Sequence, residues 1–162
     1  MPVTCPHVGS IASVGPPADV CEDCAAIGAP FVHRRQCLTC GHTGCCDASE
    51  HRHAASHHAT TGHPIVRSVE PGEDWMWCFL CGDGFRRRNG GYAVVDFFFE
   101  AGLEAARREV AGSGMFAAAP GAVTPDGFPL GTWVATYRGA ASRGELEPEH
   151  RVALEALPGW TW

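Results

Sequence analysis

Nine cysteines and nine histidines stand among the 162 residues, and most of them fall at regular spacings. Cys5 and His7 are two apart. Cys21 and Cys24, Cys37 and Cys40, and Cys78 and Cys81 make three C-x-x-C pairs. Cys45, Cys46, His53, His57 and His63 lie between the second pair and the third. A C-x-x-C turn lets two sulfurs grip one ion at about 2.3 Å, and single Cys or His residues complete a tetrahedral zinc site. Three such pairs beside a histidine cluster point to structural zinc. Disulfides fit poorly with an odd cysteine count and with the start MPVTCPHVGS, where no secretory signal is expected. Thioredoxin-like redox chemistry needs its C-x-x-C inside a βαβ unit, and none of the three pairs shows that context.

Composition narrows the class further. The length allows one ordinary domain or two small ones. No run of about 18 apolar residues occurs, so no membrane span or membrane partner is expected. A cytoplasmic location is the default. The formal charge of −6 argues against bulk attraction to nucleic acid or acidic lipid, although Arg86, Arg87 and Arg88 form a local basic patch. No nucleophile–base pair or phosphate loop appears, and the zinc sites that can be placed have four protein ligands. The expectation is a protein that is not an enzyme.

These ligands need elements to hold them. All nine cysteines and eight of the nine histidines precede residue 82, and after it only His150 remains. The shift places a boundary near Asn89-Gly90-Gly91, read as a turn-rich link, with domains at 1–90 and 91–162. The first offers a thin apolar set: Ile27, Phe31, Val32, Leu38, Ile65, Val66, Val69, Trp75, Met76, Trp77, Phe79 and Leu80. Cores of that size need staples, which zinc supplies as folding energy. Residues 30–38 read as a strand. Residues 49–60 read as a helix capped by Ser49 and ended by Gly62, with His53 and His57 on one face. Residues 64–69 and 74–80 read as two strands joined by the turn Glu70-Pro71-Gly72-Glu73.

The order C-x-H, CxxC, CxxC-x4-C, H-x3-H-x5-H-P and WCxxC resembles the UBP-type zinc finger over residues 5 to about 82. The wording GHTGCCDAS and RHAASHHATTGHP is similar to short bacterial members. That family includes ubiquitin-binding modules of deubiquitinases and of a cytoplasmic histone deacetylase. Its three-zinc members imply a cross-braced assignment of up to three ions. Cys21, Cys24, Cys45 and His53 would hold one. Cys37, Cys40, His57 and His63 would hold a second, and Cys5, His7, Cys78 and Cys81 the third. Cys46 is left over as a small buried side chain. His33, His42, His51 and His58 read as surface or supporting residues. The ubiquitin-binding members use an arginine at the position of Asp47 and aromatic residues at the positions of Trp77 and Phe79. An anionic Asp47 repels a C-terminal carboxylate, so ubiquitin binding is not expected. Asp47, Trp77 and Phe79 are the candidate partner-binding residues.

The second half reads as three helices. Val95, Phe98, Phe99, Leu103, Ala106 and Val110 recur at helical spacing over 94–112. Leu130, Trp133, Val134 and Tyr137 mark a second helix through about Arg143, and Pro148 starts a third over 148–157. Trp133, Tyr137, Trp160 and Trp162 read as core. The stretch DGFPLGTWVATYRGAASRGELEPEHRVALEALPGW resembles the helicase-associated domain, which implies a nucleic-acid role. Five arginines against nine carboxylates after residue 91 oppose that role, leaving Arg138 and Arg143 as its candidate contacts.

The expected fold is thus α+β: a small zinc-stapled mixed sheet with one or two helices, followed by a three-helix bundle. The expected function is non-enzymatic recognition of a peptide or protein by the zinc finger. A nucleic-acid accessory role through the helical domain is the first alternative, and capture of a ubiquitin-like C-terminus is the second.

Overall fold

The computed structural model describes residues 5–162. Two compact units divide between Val95 and Asp96. In the first, among the described residues, six strands form one sheet: β1 (Arg34–Cys37), β2 (Thr43–Cys45), β3 (Ile65–Ser68), β4 (Trp75–Cys78), β5 (Asp83–Arg88) and β6 (Gly91–Val94). Their order is β2-β1-β3-β4-β5-β6. Helices α1 (Glu22–Ile27) and α2 (His53–Thr61) and a short 3-10 helix (Pro6–Ser10) accompany the sheet. The class is α+β. Every pairing is antiparallel, where a mixed sheet was expected. Parallel neighbours need long crossovers, and the links between β3, β4, β5 and β6 are short enough only for hairpins.

The stretch read as a link is one of those hairpins. Asn89 (φ 48°) and Gly90 (φ 78°) are both left-handed, the backbone of a type I′ turn, and Arg88 faces Gly91 across it. β6 therefore completes the finger's sheet. Two other boundaries also differ from the sequence reading. β1 begins at Arg34 rather than residue 30. α2 begins at His53, because Arg52 sits at φ 48° and Ser49 Oγ accepts the Val32 N–H at 2.9 Å instead of capping a helix. Gly62 (φ 75°) ends α2, as the sequence predicts.

One face of the sheet packs Leu38, Ile65, Met76, Cys78 and Phe85 against Val8, Ile11 and Val14 of the N-terminal segment. Gln36, fully buried, ties that segment down. Its Nε2 donates to the Gly15 and Gly41 carbonyls at 3.0 and 3.1 Å, and its Oε1 accepts from Arg67 Nε and Nη2 at 3.0 and 2.7 Å. A buried amide with both ends satisfied adds specificity at little cost. Ile27, Val32 and Leu80, counted as core from the sequence, are exposed.

The second unit packs α3 (Phe97–Ser113), α4 (Leu130–Ser142) and α5 (Pro148–Glu155) around Trp133. Asp96 joins two of its helices. Its Oδ1 caps α3 by accepting the Phe99 N–H at 2.9 Å, and its Oδ2 accepts the Tyr137 hydroxyl of α4 at 2.7 Å. Burial, reinforced by that carboxylate, pushes the Tyr137 pKa up, so the phenol remains a donor through the neutral range. Of the aromatic stripe, Trp133 and Tyr137 are buried, Trp160 partly so, and Trp162 is half exposed with its Nε1 donating to Glu155 Oε1 at 3.2 Å.

Candidate metal centres

Three groups of four Cys and His side chains converge in the first unit. They are Cys5, His7, Cys78 and Cys81; Cys21, Cys24, Cys45 and His53; and Cys37, Cys40, His57 and His63. In each, the four donor atoms lie within 4.8 Å of one another. These are the sets the family resemblance implies.

Local backbone explains the convergence. Cys37-Leu38-Thr39-Cys40-Gly41 follows β1, and Cys78-Phe79-Leu80-Cys81-Gly82 follows β4. In both turns the glycine N–H donates to the first cysteine's carbonyl at 2.9 Å, and the glycine is left-handed, at φ 88° and 69°. The two turns are one motif used twice. The Cys21 pair differs. Cys21 caps α1, its Sγ accepting the Cys24 N–H at 3.4 Å, so this pair starts a helix. His53 opens α2 directly above β2, where a Cβ on Gly44 would lie 2.7 Å from the Ala54 nitrogen. Only a glycine lets α2 come close enough to place His53 beside Cys45.

The distances test the donor sets against a tetrahedral ion. Bonds of about 2.3 Å to sulfur and 2.0 Å to nitrogen put the donors about 3.3–3.8 Å apart. In the Cys21 group, His53 Nδ1 is 3.4, 3.2 and 3.4 Å from Cys21, Cys24 and Cys45. In the Cys5 group, His7 Nδ1 is 3.8, 3.3 and 3.4 Å from Cys5, Cys81 and Cys78. In the Cys37 group, His63 Nδ1 is 3.6 Å from Cys37, and His57 Nε2 is 3.3 Å from both Cys40 and His63. The residues fit zinc. Three histidines present Nδ1 and His57 presents Nε2, a choice that spacing does not reveal.

Electrostatics agree. Burial, with Cys21 and Cys45 alongside, pushes the Cys24 thiol up to about 12. The adjoining Cys5 thiol, with burial, pushes Cys81 up to about 12. Burial and then the neighbouring His42 and His63 hold His57 below its usual value, in the neutral form that ligates. Crowded thiols keep their protons unless a dication compensates them, and a bound metal reverses that balance.

Supporting residues surround the ligands. His42 stacks on His57 with ring centroids 4.4 Å apart, and its Nε2 meets Asp23 Oδ2 of α1 at 2.9 Å. His58 Nδ1 lies 2.8 Å from the His63 carbonyl, and its ring stacks on Phe79 at 4.8 Å. The sequence alone, which places His42 and His58 as surface or supporting residues, does not reveal these contacts. Cys46 is buried with its Sγ 3.7 Å from His33 Nδ1.

The candidate partner residues are placed differently from one another. Asp47 is exposed. Trp77 is partly exposed and faces Gly84 of β5 across the sheet. Phe79 is partly exposed and carries the His58 ring on one face. Arg138 and Arg143 are engaged within the helical unit. Arg138 Nε donates to the Thr161 carbonyl at 2.7 Å, and Arg143 Nε pairs with Glu145 at 2.7 Å.

Comparison with known proteins places these units. Residues 21–89 match the family of the Zn-finger in ubiquitin-hydrolases and other protein, and residues 96–162 match the helicase associated domain. The chain carries a UBP-type zinc finger followed by a helicase-associated domain. The finger match begins at Cys21, leaving Cys5 and His7 outside it. A solution NMR structure of protein RPA1320 from Rhodopseudomonas palustris is 49% identical, covering 53% of this chain and 84% of that one, with a TM-score of 0.49. No curated protein matches. No helix among the described residues is long and apolar enough to cross a membrane.

Proposed function

We propose that the twelve converging residues hold three zinc ions and that the finger so stapled is a non-enzymatic module that recognises a peptide or protein. The observation that carries the zinc reading is the distance from the histidine nitrogens to the donors beside them, 3.2–3.8 Å, in groups whose four donors all lie within 4.8 Å. Four protein donors per ion leave no position for substrate, which is the pattern of structural rather than catalytic zinc. Partner recognition is supported by the surface at the last zinc turn, where Trp77 and Phe79 are partly exposed and Leu80 is 59% exposed. Aromatic side chains such as these are enriched at the centres of protein interfaces. The nine carboxylates against five arginines after residue 91 weigh against the nucleic-acid alternative.

The test is recovery of partners from host lysate with the full-length chain, with and without nuclease, beside Trp77→Ala. A protein that survives nuclease and is lost with Trp77→Ala supports the reading. Recovery that needs nucleic acid, falls steeply with salt and ignores Trp77 overturns it. Free ubiquitin is expected not to bind at tens of micromolar, about the weak end of specific recognition. Binding gained by Asp47→Arg would identify that carboxylate as the block.

A further inference from the structure

We propose that the centre formed by Cys37, Cys40, His57 and His63 is the exchangeable metal site of this protein, giving up and retaking zinc through its open side at Cys40 while the other two stay loaded. The proposal rests on the three-zinc reading above.

The three centres are not equally enclosed. In the Cys21 group the three cysteines are completely buried and His53 is partly exposed, and in the Cys5 group His7 and Cys81 are partly exposed. In the Cys37 group only Cys37 is buried; His57 and His63 are partly exposed, and Cys40 is exposed. Cys40 is the one exposed residue among the twelve, and so the first that a competing chelator or thiol-directed reagent meets.

Charge points the same way. Two thiolates neutralise a zinc dication, whereas the three thiolates of each other centre leave a net negative site. The Coulomb attraction holding the ion is weakest where the thiolates are fewest and water is nearest.

The donors of this centre are also held without the ion. Cys37 is fixed in the sheet, its N–H donating to the His42 carbonyl at 2.8 Å. The His57 ring lies against His42, which Asp23 anchors. His63 is held by the contact of its carbonyl with His58 and is followed by the buried Pro64. The Cys37 centre joins the β1 turn, α2 and the residues before β3, of which β1 and β3 are already paired in the sheet, whereas the Cys21 centre ties α1 to β2 and α2 and the Cys5 centre ties the Cys5–His7 segment to the end of β4. Loss of the ion at Cys37 leaves a prepared site; loss at the others removes a link between elements that the sheet does not pair.

The experiment uses the full-length chain saturated with zinc and counted by native mass spectrometry. Fewer than three ions at saturation overturns the zinc reading and this proposal with it. With three ions present, an excess of chromogenic zinc chelator is added and release is followed beside far-UV circular dichroism. In parallel, N-ethylmaleimide labelling is mapped by peptide mass spectrometry; each label forms one C–S bond to the alkene, whose adjacent carbon takes a proton from water. We expect one equivalent to leave about tenfold or more faster than the other two, with no change in the circular dichroism. Cys40 should be the first labelled of the eight clustered cysteines. Cys40→Ser should abolish the fast phase and keep two slow ions. Release of all three ions in one phase, or first labelling at Cys81 or Cys5, overturns the proposal while leaving the three-zinc reading intact. The wild-type release and labelling decide the matter even if Cys40→Ser does not fold.

Discussion

Gly102 on α3 leaves the space that the Trp133 indole of α4 fills: a Cβ at Gly102 would stand 2.1 Å from Trp133 Nε1. The same nitrogen donates to the Phe99 carbonyl at 3.2 Å. Trp133 is fully buried and touches Phe99, Phe116, Tyr137 and Trp160, so it has no room to retreat. Gly102→Ala is expected to destabilise the helical unit by about 1–3 kcal/mol or more through overpacking. Helix propensity alone predicts the opposite sign, a gain of about 1 kcal/mol. A thermal melt decides, because a raised midpoint would mean that the two helices do not approach this closely.

A second glycine governs how closely a candidate metal ligand is brought to its group. Gly44→Ala would drive a Cβ into the α2 backbone at His53 and Ala54. The helix must move away from β2, and His53 with it. The expected result is weaker binding at the Cys21 group, read as a lowered zinc count at limiting metal. An unchanged count with wild-type affinity would refute the role given to this glycine.

Metal removal should act on one unit. Structural zinc contributes about 10–16 kcal/mol of apparent binding free energy in finger peptides at neutral pH, more than the net stability of most small domains. Exhaustive chelation should therefore unfold the sheet while α3, α4 and α5 persist. Amide hydrogen exchange resolves the two. Protection retained in β1, β3 and β4 without zinc would contradict the prediction.

Acid should weaken the helical unit through His150. Its ring stacks on Phe99 with centroids 3.7 Å apart, and burial holds its pKa below the usual value, although Asp96 and Glu147 oppose the shift. The folded state thus prefers the neutral ring. Its contribution is fully present above about pH 6.5, the ordinary value for histidine, and is lost as pH falls through the depressed folded value. Melting curves of wild type and His150→Gln at pH 8 and pH 5 check this. The wild type should lose more stability between the two than the variant, and equal losses would remove His150 as the cause.

Much of this protein is legible in its sequence, for reasons that differ by unit. In the helical unit the apolar period, Pro148 at a helix start and Gly114 beyond a helix end mark α3, α4 and α5 to within a few residues, because helix formation is local. In the finger, C-x-x-C followed by glycine specifies a turn that is complete within five residues. The same locality failed at α2, where Ser49 looks like a cap but is taken by the Val32 N–H from the loop before β1. It failed again at Asn89-Gly90, where the turn residues were legible but the strands they join were not. The expected finger core stopped at Leu80, and so omitted Phe85, which is fully buried in the sheet.

By itself the sequence determined the candidate ligand types, the turns that present them and the division into a cysteine-rich and a helical part, since these depend on residues near one another in the chain. Only the tertiary structure decided which nitrogen each histidine presents, how open each centre is to water, and which glycines must be glycine. Those properties depend on how closely separate elements approach. Gly44 against α2 and Gly102 against Trp133 are contacts between segments that no local pattern in the chain connects.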